Sequence, residues 1–254
     1  MAMSIPESVK IKIERTDQHI SDVDGAIAEF WKTQPYKVIG YIDAGKRPTY
    51  QVTDTKPIDP MIPAIAGDAI QCLRAALDRM ACALWSRTNA GDCKIYFPIA
   101  DSPTKFKSEA LRKVNGLGQD AIDAITEIEP YQGGKGETLW CLHRLSIIDR
   151  HRLPLTVIGG QMGVDLIPLY RDRIPELAKS FAFVHNVANF KVPLEKGDIL
   201  FIDEPGAELH KNLDVSWLVF FNEPRVLERK RVDASLKSMR DFVNDNLNKL
   251  AVLL

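Results

Sequence analysis

Chemistry-bearing residues are scarce in this chain: five histidines and four cysteines among 254 residues. No Cys-x-x-Cys pair occurs, and neither His-Glu-x-x-His nor Glu-x-x-His appears, so no standard zinc or di-iron motif is present. Gly-x-Ser-x-Gly is absent. Gly116-Leu117-Gly118 lacks the third glycine of a dinucleotide fingerprint, and Gln132-Gly133-Gly134-Lys135-Gly136 lacks the Gly-Lys-Ser/Thr ending of a P-loop. The stretch from Pro193 through Gly206 to His210 has the look of a second cupin motif, but its spacing is too long and no His-x-His precedes it. No cofactor is expected. No stretch approaches the ~18 apolar residues that span a bilayer. Lys and Arg (33) balance Asp and Glu (34), which excludes a uniformly basic nucleic-acid-coating surface but leaves room for a local patch.

Cys72 and Cys82 fall on one expected helix, where ten residues give ~15 Å of rise, too far for a disulfide. All four cysteines, with Cys93 and Cys141, are therefore read as reduced thiols. The opening MAMSIPESVKIKIER has no apolar core followed by a small-residue cleavage site, so the expected location is cytoplasmic, with no membrane.

Hydrophobic residues make up 45% and charged residues 26%, as in ordinary globular proteins, and the length suits one core with an insertion or two small intimate domains. Apolar spacings of three, four and seven predict a helix over 6–32. Two strands, 36–42 and 48–55, follow around the loop Asp43–Arg47, a hairpin expected at the edge of the bundle. The span 62–87 predicts a helix with a core face (Ala69, Leu73, Ala76, Leu77, Met80, Ala83, Leu84) and a polar face of small residues. Short helices are expected over 103–114 and 118–128. The helix over 137–153 is apolar in nearly every direction, which predicts a central, buried rod. After Pro154 the period changes to two, predicting strands at 156–158, 165–170, 180–192, 198–202 and 215–222, and a last helix covers 233–250. The basic cluster from Arg225 to Arg231 reads as a solvated face. The fold class is thus α+β: a helical bundle, an antiparallel β-sheet formed mainly by the second half, and a C-terminal helix returning to the bundle. The division falls between 1–153 and 154–254, within one compact unit.

The greasy helix over 137–153 also carries His143, Arg144, Asp149, Arg150, His151 and Arg152. Buried charge is costly unless paired, so this segment needs partners or a function. Arg144 and His151 are seven residues apart, ~20° from each other on a helical wheel, and so are His143 and Arg150 on a different face. A fixed positive charge beside a proton carrier is what metal-independent phosphodiester cleavage requires.

Gly67-Asp68-Ala69-Ile70-Gln71-Cys72-Leu73-Arg74-Ala75-Ala76-Leu77-Asp78 resembles a helix shared by many uncharacterised bacterial proteins. Their later segment resembles Leu142-His143-Arg144-Leu145-Ser146-Ile147-Ile148-Asp149-Arg150-His151-Arg152. Cys72 stands where that pattern has Asn, and Arg79 where it has His. The bundle with Arg-x6-His is also similar to HEPN domains, although Leu145 follows the arginine where that family carries a polar residue. The HEPN resemblance implies an RNA-binding protein or metal-independent ribonuclease of stress response or phage defence, its site formed across a homodimer. Arg144 would hold the scissile phosphate and His151 would act as acid/base. On our reading of the residues, His143 and Arg150 support them, and Asp78 or Asp149 orients a histidine or arginine.

Two alternatives stand beside this reading. The charged residues can form a buried His/Arg/Asp network that only fixes packing, with Asp68, Asp78, Glu127 or Glu129 as partners. Alternatively, Asp68, Asp78, His143, Asp149 and His151 can serve as ligands in a metal-dependent hydrolase. Asp149 and His151 converge only if the helix ends at Arg150.

Overall fold

A computed structural model of the chain describes residues 5–163, 188–209 and 214–254. The expected strand over 165–170, most of that over 180–192, and His210 lie outside the described residues. The chain forms two compact units, one of residues 1–27, 60–155 and 221–254, the other of residues 28–59 and 156–220. The class is α+β, as the sequence pattern implies.

The first unit is helical. Helix α1 (Glu7–Lys32) begins in it, followed by α2 (Met61–Trp85), a short α3 (Pro103–Lys105), α4 (Gln119–Ile128), α5 (Glu137–Asp149) and α6 (Val232–Ala251). Ser102 caps α3 by accepting from the Lys105 N–H at 3.2 Å, with Pro103 in the first turn, and the chain then widens into a π turn and tightens into a 3-10 turn that ends at Val114. Helix α6 returns to the bundle as expected: it packs on α2, α4 and α5. Leu236, Met239, Val243, Leu247 and Leu250 give it a buried face at three- and four-residue spacing. Two exposed ion pairs, Lys237 with Asp24 and Arg240 with Asp17, run from α6 to α1.

The central rod is α2, not α5. Fourteen of the 25 residues of α2 are buried against five of the 13 in α5. Both α5 and α6 pack on α2, so its small residues Ala66, Gly67, Ala69, Ala76 and Ala81 are used for close approach on several sides. The residues of α5 that were expected to be enclosed divide instead. Leu139, Trp140, Leu142, Leu145 and Ser146 are buried, while His143, Arg144, Ile147, Ile148 and Asp149 are half-buried.

In the second unit, β1 (Tyr36–Ile42) and β2 (Pro48–Thr55) form the expected antiparallel hairpin. The Asp43 carboxylate closes its loop, accepting from the N–H groups of Gly45 and Arg47 and from the Arg47 guanidinium at 2.7–2.9 Å. The hairpin is part of a larger sheet. β2 pairs with β5 (Ile199–Ile202), placing Thr49 opposite Ile202 and Tyr50 opposite Phe201. Tyr50, Val52, Leu194, Leu200 and Phe201 make the core of this sheet, joined by Tyr36, Val38 and Trp217. A second sheet has the order β4 (Ala188–Lys191), β3 (Thr156–Gly163), β6 (Asp214–Glu223), β7 (Leu227–Arg231). β7 occupies most of the basic cluster, where no strand was expected.

One cysteine expectation is overturned. Cys82 and Cys93 form a disulfide, with Cα atoms 5.6 Å apart, while Cys72 and Cys141 are free. The helix-spacing argument excludes Cys72 as a partner for Cys82. It does not exclude Cys93, because the loop after α2 folds back along the helix. Among the described residues no helix is long and apolar enough to cross a membrane. The disulfide closes a loop with a sequence separation of 11. Cys82→Ser, or a thiol reductant on the unaltered chain, is expected to lower unfolding free energy by about 2–3 kcal/mol. Urea denaturation with and without reductant measures this, and Cys82→Ser should be insensitive to the reductant.

Candidate functional site

A cleft of about 540 Å³ lies in the helical unit. Arg74 and Asp78 of α2 line it from one side, and His143, Arg144, Ile147 and Arg150 of α5 from another. Residues 96–101 form a wall, and Lys105, Glu109, Ala110 and Lys113 complete the lining. On the α5 wheel His143, Ile147 and Arg150 fall within about 60° of one another, and Arg144 borders that face. The pair separated by seven that opens on the cleft is therefore His143 with Arg150, joined by Arg144.

His151 does not line it. Helix α5 ends at Asp149, and the N–H groups of both His151 and Arg152 donate to Ile148 O at 2.9 Å, closing the last turn. Pro154 also disfavours helical geometry at Leu153. His151 therefore stands exposed beyond the helix end, so the shared surface with Arg144 that a continuing helix would create is not formed.

Asp149 is occupied elsewhere. The Gln71 side-chain amide donates to the Asp149 carboxylate at 2.9 Å and to Ser146 O at 2.8 Å. This carboxylate lies against Gly67, where a Cβ would collide with it. Asp149 thus locks α5 against α2. Arg152 makes a two-pronged ion pair with buried Glu223, at 2.7 and 2.8 Å, and the Leu155 N–H donates to the same carboxylate. Burial acts to raise the Glu223 pKa, but the Arg152 guanidinium and the Leu155 N–H outweigh it and hold the pKa below its ordinary value. Asp68 is exposed and does not line the cleft. The metal-ligand set Asp68, Asp78, His143, Asp149 and His151 is not assembled: among the described residues no three histidine, cysteine or carboxylate side chains gather as metal ligands. Nor is the loop 132–136 an open phosphate cradle. The Gly133, Gly134, Lys135 and Gly136 N–H groups all donate within the protein, to Glu137, Tyr131 and Glu129.

Arg74 went unnoticed as a functional residue in the sequence, and it lines the cleft. Only 5% exposed, it donates from Nη2 to the Asp78 carboxylate at 2.8 Å and to Phe97 O at 2.9 Å. Its Nη1 is buried with no partner. Asp78 also accepts from the Phe97 N–H at 2.9 Å, so one ion pair clasps both polar groups of the Phe97 backbone. Desolvation pushes the Arg74 pKa down and that of Asp78 up, each opposed by the charge of the other. A signal for Arg74 exists in the sequence: Ile70, Leu77 and Ala81 lie within about 60° of it on the wheel, and Asp78 lies beside it one turn on, so it is a charge at the border of an apolar sector with a partner in reach. Tyr96, Asp101, Lys105 and Lys113 carry no such signal, since a fold-back of the 93–113 segment brings them to the site.

The electrostatics favour an anion. Arg74, Lys105, Lys113, Arg144 and Arg150 line the cleft against Asp78, Asp101 and Glu109, an excess of two positive charges with His143 neutral. Asp101 is partly spent, accepting from Trp140 Nε1 at 3.0 Å, a bond that with the nearby Arg144 charge keeps its pKa low. Among the described residues Arg144 and Arg150 have no carboxylate within ion-pair distance. Burial, then the charges of Arg74, Arg144 and Arg150, depress the His143 pKa to about 4, so the imidazole is neutral at pH 7. Its Nδ1 is buried and unpartnered.

No protein-family model matches the chain, and no curated protein and no solved structure matches it either.

The back of α5 yields a stability prediction. Gly67→Ala is expected to cost about 1–3 kcal/mol by displacing the Asp149 carboxylate from Gln71. In Asp149→Ala the added methyl meets no carboxylate, so the double variant should be more stable than the sum of the single effects implies. A double-mutant cycle by urea denaturation checks this, and additive costs would count against the lock.

Proposed function

We propose that this cleft binds single-stranded RNA and cleaves it without a metal, in the manner that the similarity to HEPN domains implies, but with His143 in place of His151 as the proton acceptor within one chain. The observation carrying this reading is that Arg144 and Arg150, without carboxylate partners among the described residues, line the same cleft as His143. Guanidinium groups match the geometry of phosphate oxygens and stay charged at any accessible pH. A neutral imidazole can accept a proton from a ribose 2′-hydroxyl. The 2′ oxygen then attacks phosphorus, the bond to the 5′ oxygen breaks, and that oxygen takes a proton from water admitted by the open cleft. The products are a 2′,3′-cyclic phosphate and a 5′-hydroxyl end. Buried Arg74 adds fixed positive charge where the transition state gains negative charge.

The HEPN resemblance also implies a homodimer. His151, exposed past the end of α5, is a residue that a two-fold pairing can deliver to the cleft of the second copy. For Asp149 and Arg152 the packing-network reading is the better one, because Gln71 and Glu223 occupy them.

The test is incubation of purified chain with total RNA in EDTA. Cleavage is expected to survive EDTA and to fall about 10²–10⁴-fold in His143→Ala, with the circular dichroism spectrum unchanged. Arg144→Ala and Arg150→Ala are expected to weaken RNA binding as well as cleavage. Loss of cleavage in His151→Ala, with His143→Ala fully active, would overturn the assignment to His143. The pH profile gives a second check. Only the deprotonated imidazole accepts a proton, so kcat/KM should rise with pH through an acid limb near pH 4, not near the 6.5 of an ordinary histidine.

A further inference from the structure

We infer that Tyr96 is a stacking platform for one base of the nucleic acid bound in the cleft. The inference rests on the RNA reading above and adds to it the part of the ligand that the charges do not hold.

Tyr96 lines the cleft and is 69% exposed, whereas the next residue, Phe97, is 1% exposed. Among the described residues no other ring packs against Tyr96, and no hydrogen bond engages it. The backbone on both sides of this open ring is fastened. Three residues before it, Cys93 is joined to α2 through Cys82. One residue after it, Phe97 is clasped at N–H and C=O by Asp78 and Arg74. Further on, the Ala100 N–H donates to Pro130 O at 3.1 Å, and Ala100 bridges to Tyr131. The ring is thus displayed from a fixed wall, with little backbone freedom left to lose on binding.

A flat π face beside guanidinium groups fits a ligand having a flat ring and a phosphate, which is the composition of a nucleotide. Bases of a single strand are free to leave their own stack and settle on a protein aromatic, whereas bases in a duplex are not. With the phosphate on Arg144 and Arg150, the base reaches the wall of residues 96–101 across the same opening. Because every base has a π face, stacking adds affinity without strict sequence choice. The ligand class is therefore single-stranded RNA read through one unstacked base, not duplex RNA gripped only by its backbone.

The experiment uses the full chain and fluorescence anisotropy with labelled single-stranded oligouridylate carrying 2′-O-methyl groups, which cannot be cut by 2′-hydroxyl attack. A strand of equal length with abasic sugars isolates the backbone contribution. Tyr96→Ala is expected to weaken binding of the base-bearing strand about 10-fold and to leave the abasic strand unchanged, while Tyr96→Trp keeps the affinity of the unaltered chain. Tyr96 is exposed, so Tyr96→Ala removes no core packing, and an unchanged circular dichroism spectrum verifies folding. Equal affinity of Tyr96→Ala and the unaltered chain for the base-bearing strand would overturn the platform. Equal weakening toward both strands would do the same. In either case binding that still depends on Arg144 leaves the RNA reading standing. If the unaltered chain binds neither strand, the RNA reading fails, and the platform with it.

Discussion

The ion pair between Arg74 and Asp78 underlies everything the cleft can do. Placing a guanidinium inside a helical core costs several kcal/mol, and the attraction of one carboxylate rarely repays it in full. Here the pair is completed by backbone: Arg74 donates to Phe97 O, and Asp78 accepts from the Phe97 N–H. The two charges therefore hold down a loop with no helix or strand of its own over residues 93–99. Without them that segment would have buried polar groups to satisfy and no reason to lie on α2. The arrangement is still left one bond short, because Nη1 of Arg74 has no partner. Removing either charge alone would leave the other buried and unpaired and would free the Phe97 backbone.

Helix α5 serves two neighbours with one sequence. Its cleft side presents His143, Arg144 and Arg150, and its other side gives Asp149 to Gln71 and buries Leu142, Leu145 and Ser146. This division explains why the helix shows apolar residues in nearly every direction and charges in many. The charged residues are not one constellation but two sets with different tasks, separated by the rotation of the helix and by its end at Asp149.

Much of the fold was legible because periodicity reports burial directly. The extents of α1, α2, α4 and α6 agree with the spacing of their apolar residues to within a few positions, and so do the β1–β2 hairpin and strands β5 and β6. What local spacing cannot report is which distant segment comes back. The fold-back of the loop after α2 makes the Cys82–Cys93 pair and brings Tyr96 to the site. The partnership of β2 with β5 draws the early hairpin into the second unit. Of the site residues, His143, Arg144, Arg150 and Asp78 were recognisable from charge within an apolar helix. His151 leaves the face it would share with Arg144 because the helix ends at Asp149, whereas Asp149, still on the helix, is taken by Gln71, a partner that local spacing does not reveal. Arg74 was visible in principle as a charge among Ile70, Leu77 and Ala81 with its partner Asp78 one turn on.

The helical unit is assembled from three separate stretches of chain, and this has a consequence for how it comes into being. During vectorial synthesis α2 leaves the ribosome long before α6, which covers part of its apolar surface. Until Leu236, Met239, Val243 and Leu247 arrive, Leu73, Leu77 and their neighbours have no final cover, and the nascent polypeptide must keep that grease from sticking to other molecules. Helix α6 therefore acts as the closing stave, and cotranslational folding of the unit cannot finish before it emerges.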